Sequence, residues 1–230
     1  SSVLSFGATQ RVNIEKLVTN ENRDTLYLEE TKKPYSGEVE RKYPDGKLLG
    51  IATVKDGKFN GKSYEYYENG KLKIEENYVN GKSEGVSKVF YPNGKVKYET
   101  PYKNDKKEGV EKFYSENGIL MSEIPFKNDI VIGVAKVYNA QTGKLEYEEN
   151  LVNGKRNGLS KKYYPSGKVL NEVNFKDDKE EGIMRVYYET GKLQGEIPYK
   201  NGQVDGVVKA YDENGKLIEQ ATFKNGEEVK

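Results

Sequence analysis

Glycine recurs in this sequence at a fixed interval. Gly37, Gly61, Gly85, Gly109, Gly133, Gly158, Gly182 and Gly206 are 24 residues apart, with one step of 25. A second series, Gly46, Gly70, Gly94, Gly118, Gly143, Gly167, Gly191 and Gly215, marks the middle of each unit. The extra residue falls before Gly143, in YNAQTGK, and predicts a longer loop or a bulge there. A period of this length is the signature of a repeat protein in which each unit chiefly contacts its neighbours. It also excludes helices, because a glycine about every twelve residues costs about 1 kcal/mol each in a helix interior and no apolar stripe of helical period survives between them.

Within a unit, a β-type run such as GVSKVFY is followed by PNGK and then by VKYETPY. Asn-Gly between such runs predicts a type I′ hairpin turn, which needs positive φ at two residues. The other connector, VNGKSEG at 79–85 or KNGQVDG at 200–206, is longer and equally rich in Gly and Asn, and turns the chain antiparallel again. The fold class is therefore all-β: an elongated repeat protein, a single antiparallel meander of about sixteen strands built from eight stacked β-hairpins over residues 34–230. Residues 1–33 lack the full pattern and read as an N-terminal capping segment with one or two strands that covers one sheet edge. In it, DTLYLEETKKPYSG at 24–37 reads as a strand and connector leading into the first unit.

Only 34% of the chain is hydrophobic and 33% is charged, a thin supply for a thick core. Nineteen Tyr and seven Phe at regular intervals nonetheless argue against disorder. Lys and Arg number 38 against 37 Asp and Glu, so no net field draws the chain to nucleic acid, and none is expected as a partner. Absence of Cys excludes disulfides and thiolate metal sites, and absence of His removes the commonest general base and metal ligand. No run approaches the roughly 20 apolar residues that span a bilayer, so neither a transmembrane segment nor lipid contact is expected. The opening SSVLSFGATQ, without Met, is what a mature exported chain or a trimmed one shows. The expected setting is exported or at a cell surface or periplasm, with the cytoplasm as the alternative.

Counting outward from Asn69-Gly70 as a two-residue turn pairs Tyr67 with Leu72, Tyr66 with Lys73, Glu65 with Ile74 and Tyr64 with Glu75. The same rule sets Lys88 opposite Glu99, Lys112 opposite Glu123, Lys161 opposite Glu172 and Arg185 opposite Glu196, a structural ion-pair ladder; Lys136 meets Glu148 if the extra residue is looped out. That face is read as the one meeting water. It also carries a row of rings, Tyr66, Phe90, Tyr114, Tyr138, Tyr163, Tyr187 and Tyr211, the candidate surface-binding row. Alternation assigns to the opposite, core-like face the row Leu72, Val96, Leu120, Leu145, Val169, Leu193 and Leu217. The same face takes Tyr78, Tyr102, Phe126, Leu151, Phe175, Tyr199 and Phe223, with each unit-opening Gly letting a ring cover bare backbone.

The pattern G-x-x-x-x-[YF]-Y-x-N-G-K-[LV]-x-x-E-x-x-[YF]-x-N-G, as in GKSYEYYENGKLKIEENYVNG at 61–81, resembles the bacterial variant of the MORN repeat over about 195 residues. LYLEETKKPYSGEVERKYPDGK at 26–47 is similar to the entry into such arrays. The resemblance implies stacked hairpins, a role in protein association or scaffolding, frequent export or surface attachment, and in some members an antitoxin-like label. It brings no catalytic motif.

Each carboxylate sits in a repeated, solvated slot, so no unique pocket for paired-carboxylate catalysis is expected, and no cofactor or metal is either. DDKEEG at 177–182 lacks the alternation and terminal bidentate Glu of a Ca²⁺ loop and reads as a solvated connector. Tyr beside Lys on a flat sheet suits stacking on sugars or gripping a peptide; cross-strand packing explains the same pattern. The expected function is a non-enzymatic interaction or scaffold module that binds a protein partner through an extended sheet surface. A carbohydrate or cell-wall binder using the Tyr row and an antitoxin-like neutralising protein are the alternatives.

Overall fold

The structure is a computed structural model that describes residues 10–229. Residues 1–9, part of the expected cap and the basis for reading an exported chain start, lie outside the described residues. Among the described residues two compact units are present, one running to residue 109 and including 116–118, and one of residues 110–115 with those from 119 onward.

In the first unit Gly37–Lys42, Leu48–Lys55, Lys58–Tyr66, Leu72–Val79, Gly85–Phe90 and Val96–Lys103 each pair antiparallel with the next. In the second, Gly109–Tyr114 precedes a meander of Leu120–Lys127, Gly133–Tyr138, Leu145–Val152, Gly158–Tyr163, Val169–Lys176, Lys179–Tyr187, Leu193–Lys200, Gly206–Tyr211 and Leu217–Lys224. The eight hairpins of the period are all there. Among the described residues the one helical element is a 3-10 turn, Ile14–Lys16, and no helix is long and apolar enough to cross a membrane.

The N-terminal segment covers one sheet edge but holds three strands where one or two were expected. Arg11–Asn13 pairs parallel with the edge strand Gly37–Lys42, while Leu26–Leu28, read as the lead-in to the first unit, pairs with Leu17–Thr19 in a separate two-stranded ribbon. Its leucines explain this: Leu17, Leu26 and Leu28 pack with Val12, Ile14 and Phe59 against buried Tyr35, Val39 and Val54, the best-formed core of the molecule. The Tyr35 hydroxyl lies 2.9 Å from the carbonyls of both Gln10 and Glu38, beside the parallel pairing, and Tyr35 N–H donates at 3.0 Å to Leu26 O of the ribbon.

The type I′ turns lie at the other connector. Asn80-Gly81 has φ of 50° and 83°, and Asn104-Asp105, Asp177-Asp178 and Asn201-Gly202 likewise place both residues at positive φ. Val79 faces Lys82 across the first of these, so the connector opens with a tight two-residue turn. At Asn69-Gly70 only the glycine has positive φ, 80°. Tyr67 N–H donates to Lys71 O and Gly70 N–H to Tyr67 O, both at 2.8 Å, which closes a three-residue loop built on a type I turn.

This longer loop displaces the register by one residue, and a bulge restores it. Tyr66 faces Leu72, Lys73 is the extra residue, and Glu65 then faces Ile74 and Tyr64 faces Glu75. The same irregularity follows each of the wide turns in the registers that span it. Pairings deep in the strands agree with the count from the sequence; those beside the turn do not. Before Gly143 the loop gains a residue, with Gly143 N–H donating to Asn139 O, while Lys136 still faces Glu148.

Because the bulge shifts the alternation, the Leu/Val row changes face. Leu72, Val96, Leu145, Val169, Leu193 and Leu217 stand directly beside Tyr66, Phe90, Tyr138, Tyr163, Tyr187 and Tyr211. Alternation from these registers puts the buried sheet residues Val39, Val54, Thr100, Ser160, Val173 and Phe175 on the opposite face. The ring row expected there is only half-buried apart from Phe175. Each of its members Tyr78, Tyr102, Leu151, Phe175, Tyr199 and Phe223 faces a unit-opening Gly. What stands nearest those glycines is more often a side chain of the preceding strand: a Cβ on Gly206 would meet Pro198 at 2.9 Å and one on Gly133 would meet Pro125 at 3.2 Å.

Candidate functional site

The ladder face carries three parallel rows. The middle row alternates in charge from strand to strand: in the second unit Glu123, Lys136, Glu148, Lys161, Glu172, Arg185, Glu196 and Lys209 face one another in sequence. In the first unit Lys88 lies between Glu75 and Glu99. The row therefore continues across the tight turns as well as within hairpins, which the hairpin count alone does not reveal. Ion pairs close at Lys88–Glu99 (3.3 Å), Lys136–Glu148 (3.9 Å) and Arg185–Glu196 (3.7 Å). Lys161 and Glu172 face each other in register, and Lys112 lies half-buried on Gly109–Tyr114. Such exposed pairs contribute well under about 1 kcal/mol each and act mainly on register.

At the wide-turn end runs the ring row. Its tyrosines are committed within the fold: the hydroxyls of Tyr138, Tyr163 and Tyr187 donate at 2.7 Å to Glu123, Glu148 and Glu172, and Tyr211 to Glu196 at 3.2 Å. Each of these glutamates thus accepts a phenol hydrogen bond and faces a cation across the strands. Burial first, and then the bond to the glutamate, pushes the Tyr138 and Tyr163 phenols up to about 12; Tyr187 and Tyr211 rise for the same reasons. Phe90 has no proton to give, and Glu75, the residue at the equivalent distance behind it, takes Lys62 Nζ instead at 2.6 Å. Tyr66 has Ile51 at that position, and Tyr114 lies half-buried at the end of its strand.

The tyrosine that follows the row residue is the one the sequence reading missed. Tyr43, Tyr67, Tyr164 and Tyr188 donate their hydroxyls at 2.6 to 2.8 Å to the carbonyls of Tyr66, Phe90, Tyr187 and Tyr211, so each repeat pins the next. The Tyr-Tyr doublet was the available signal. Cations stand over rings mostly outside the row: Lys73 over Tyr67, Lys97 over Tyr91 and Tyr98, Lys162 over Tyr147, and Arg156 at 4.0 Å over Phe175. Asp177 and Asp178 form a tight turn, with Asp178 accepting from Arg156 N–H at 2.8 Å.

The third row, at the tight-turn end, is aliphatic and open to solvent. Val110, Val134, Leu159, Ile183 and Val207 of the second unit each follow a unit-opening Gly and are 40 to 48% exposed. Val86 of the first unit is 46% exposed. Single exposed apolar residues are ordinary, but the same position exposed in every successive repeat is not.

Seven segments, 35–56, 59–80, 83–104, 107–128, 156–177, 180–201 and 204–225, match the model of the MORN repeat variant. Comparison with curated proteins finds no match. The stretch between the fourth and fifth matches holds the hairpin with the longer turn, which keeps its strands and bulge but not the loop length. With more than half of its length matched and the hairpin period kept throughout, the chain belongs to the MORN repeat variant family.

Proposed function

We propose that the protein is a non-enzymatic interaction module that holds a protein partner against the ladder face. The observation that carries this is the solvent-open aliphatic row Val110, Val134, Leu159, Ile183 and Val207, repeated beside a charge row whose members neutralise one another. A partner laid across it covers apolar surface at each repeat without stranding a charge, and weak contacts on one rigid scaffold add by avidity. The tyrosines are less suited to gripping a ligand, because four of their hydroxyls already bond to glutamate. The family resemblance supports an exported or surface setting as part of this proposal.

The test replaces Val134, Leu159 and Ile183 together by Lys and compares capture of a crosslinked, mass-identified partner with that of the parent. Loss of the partner with circular dichroism unchanged supports the reading. Undiminished capture sinks it. Protease treatment of intact cells checks the setting, since a surface protein is cleaved and a cytoplasmic one is not.

A further inference from the structure

The first unit contains a cavity of about 270 Å³ on the face away from the ladder. Small residues make its floor: Gly50 and Ala52 occupy positions where the equivalent strands of the next two repeats carry Ile74 and Glu76, then Tyr98 and Thr100, and Ser63, which recurs as Ser87, faces Ala52. Nothing larger fits at Gly50 without crowding, since a Cβ there would stand 3.1 Å from Tyr64 O. Apolar walls rise on two sides. One is Ile14 of the 3-10 turn with buried Val39; the other is Phe59 and Tyr78, whose rings stand 5.7 Å apart.

The charged groups around this hollow are unevenly paired. Glu65 is met twice, by Lys73 Nζ at 2.6 Å and Arg41 at 3.7 Å. Glu76, also lining the cavity, accepts the Tyr78 hydroxyl at 2.9 Å, and among the described residues no cation is paired with it. Burial, then the bond to Glu76, pushes the Tyr78 phenol up to about 12, so it remains a donor that fixes the carboxylate. A carboxylate has about four acceptor sites, and one that is half-buried beside apolar walls gains from a cation that also fills the space.

We propose that this cavity binds a small amphipathic organic cation, an alkyl- or arylammonium. Its ammonium pairs with Glu76, and its hydrocarbon part rests on the small-residue floor between Ile14, Val39 and Phe59. The volume lies just below the roughly 300 to 1,000 Å³ of drug-sized sites, which selects a single ring or a short chain. This site lies in the first unit and the proposed partner surface in the second, so either reading can fail without the other.

The test titrates the whole chain with phenethylammonium, followed by amide NMR shifts, with phenylpropionate as the anionic control. Saturable shifts confined to residues 50–52, 63–65 and 74–78 are expected for the amine and none for the acid. Glu76→Gln should weaken binding about tenfold or more, as expected for losing a charged hydrogen bond. Ala52→Leu, which fills the floor and retains the carboxylate, should abolish binding. The proposal is overturned if the amine gives no saturable shift at concentrations well above a millimolar Kd, if phenylpropionate binds equally, or if both variants bind as the parent does.

Discussion

Replacing Tyr138 and Tyr163 together by Phe removes two phenol protons from Glu123 and Glu148 and leaves the rings in place. Both phenols are pushed from the ordinary 10 up to about 12. Two pH units correspond to at most about 2.7 kcal/mol for each ring. Water reaches these half-buried groups and screens them, so we discount this to about 1 kcal/mol each, or about 2 kcal/mol for the pair. The sign follows from which state holds its proton more tightly. With the folded pKa above the unfolded one, the contribution is complete below pH 10, declines as pH rises, and is gone above about pH 12, where two anions would face each other. Denaturant unfolding of parent and double variant at a series of pH values measures the gap directly. Lysines and the remaining tyrosines titrate in both proteins and cancel in the difference. We expect the parent's advantage to be constant up to about pH 9 and to fall by about 2 kcal/mol between pH 10 and 12. A gap that stays constant through this window would mean that the hydroxyls contribute packing and no proton-linked bond, refuting the reasoning.

Three further outcomes follow from the fold. Val54→Ala, at a side chain 2% exposed, should cost about 2 kcal/mol and lower the melting temperature of the cap region, as hydrogen exchange of residues 11–28 would show. Asn80→Ala should cost about 1 kcal/mol because φ there is 50°, whereas Asn69→Ala, at negative φ, should cost only a few tenths, in reversal of what the identical Asn-Gly pairs suggest; equal losses in thermal melts would contradict the turn assignment. Gly206→Ala should destabilise more than Gly85→Ala, since both have positive φ but only the former meets Pro198; melting the two side by side decides.

The hairpins were legible because the glycine period and the Asn-Gly punctuation are local signals that repeat. Register deep in the strands was legible too, though for an incomplete reason: a three-residue loop and a bulge displace it by equal and opposite amounts. Nothing in YYENGK distinguishes that pair of irregularities from a two-residue turn, and the cost was the face of the Leu72 row. The cap was less readable because Leu26 and Leu28 show the same alternation whether they join the main sheet or a ribbon beside it. Alternation already places Val134 on the ladder face, two residues from Lys136; what the sequence did not show is that this position stays open to solvent in successive repeats. The cavity below Ile14 depends on which small residues stand together across two facing strands, information absent from any single repeat.

The hairpin with the extra residue before Gly143 shows how the scaffold handles insertion. Four loop residues there replace three, and both the bulge and the facing of Lys136 with Glu148 are unchanged. Variation in a wide turn is absorbed locally. At a tight turn, where both residues hold positive φ and the following glycine kink is only a few residues away, there is no such slack. The two ends of every hairpin are therefore unequal as places to add sequence: one tolerates grafts while the strands keep time, and the other sets the beat.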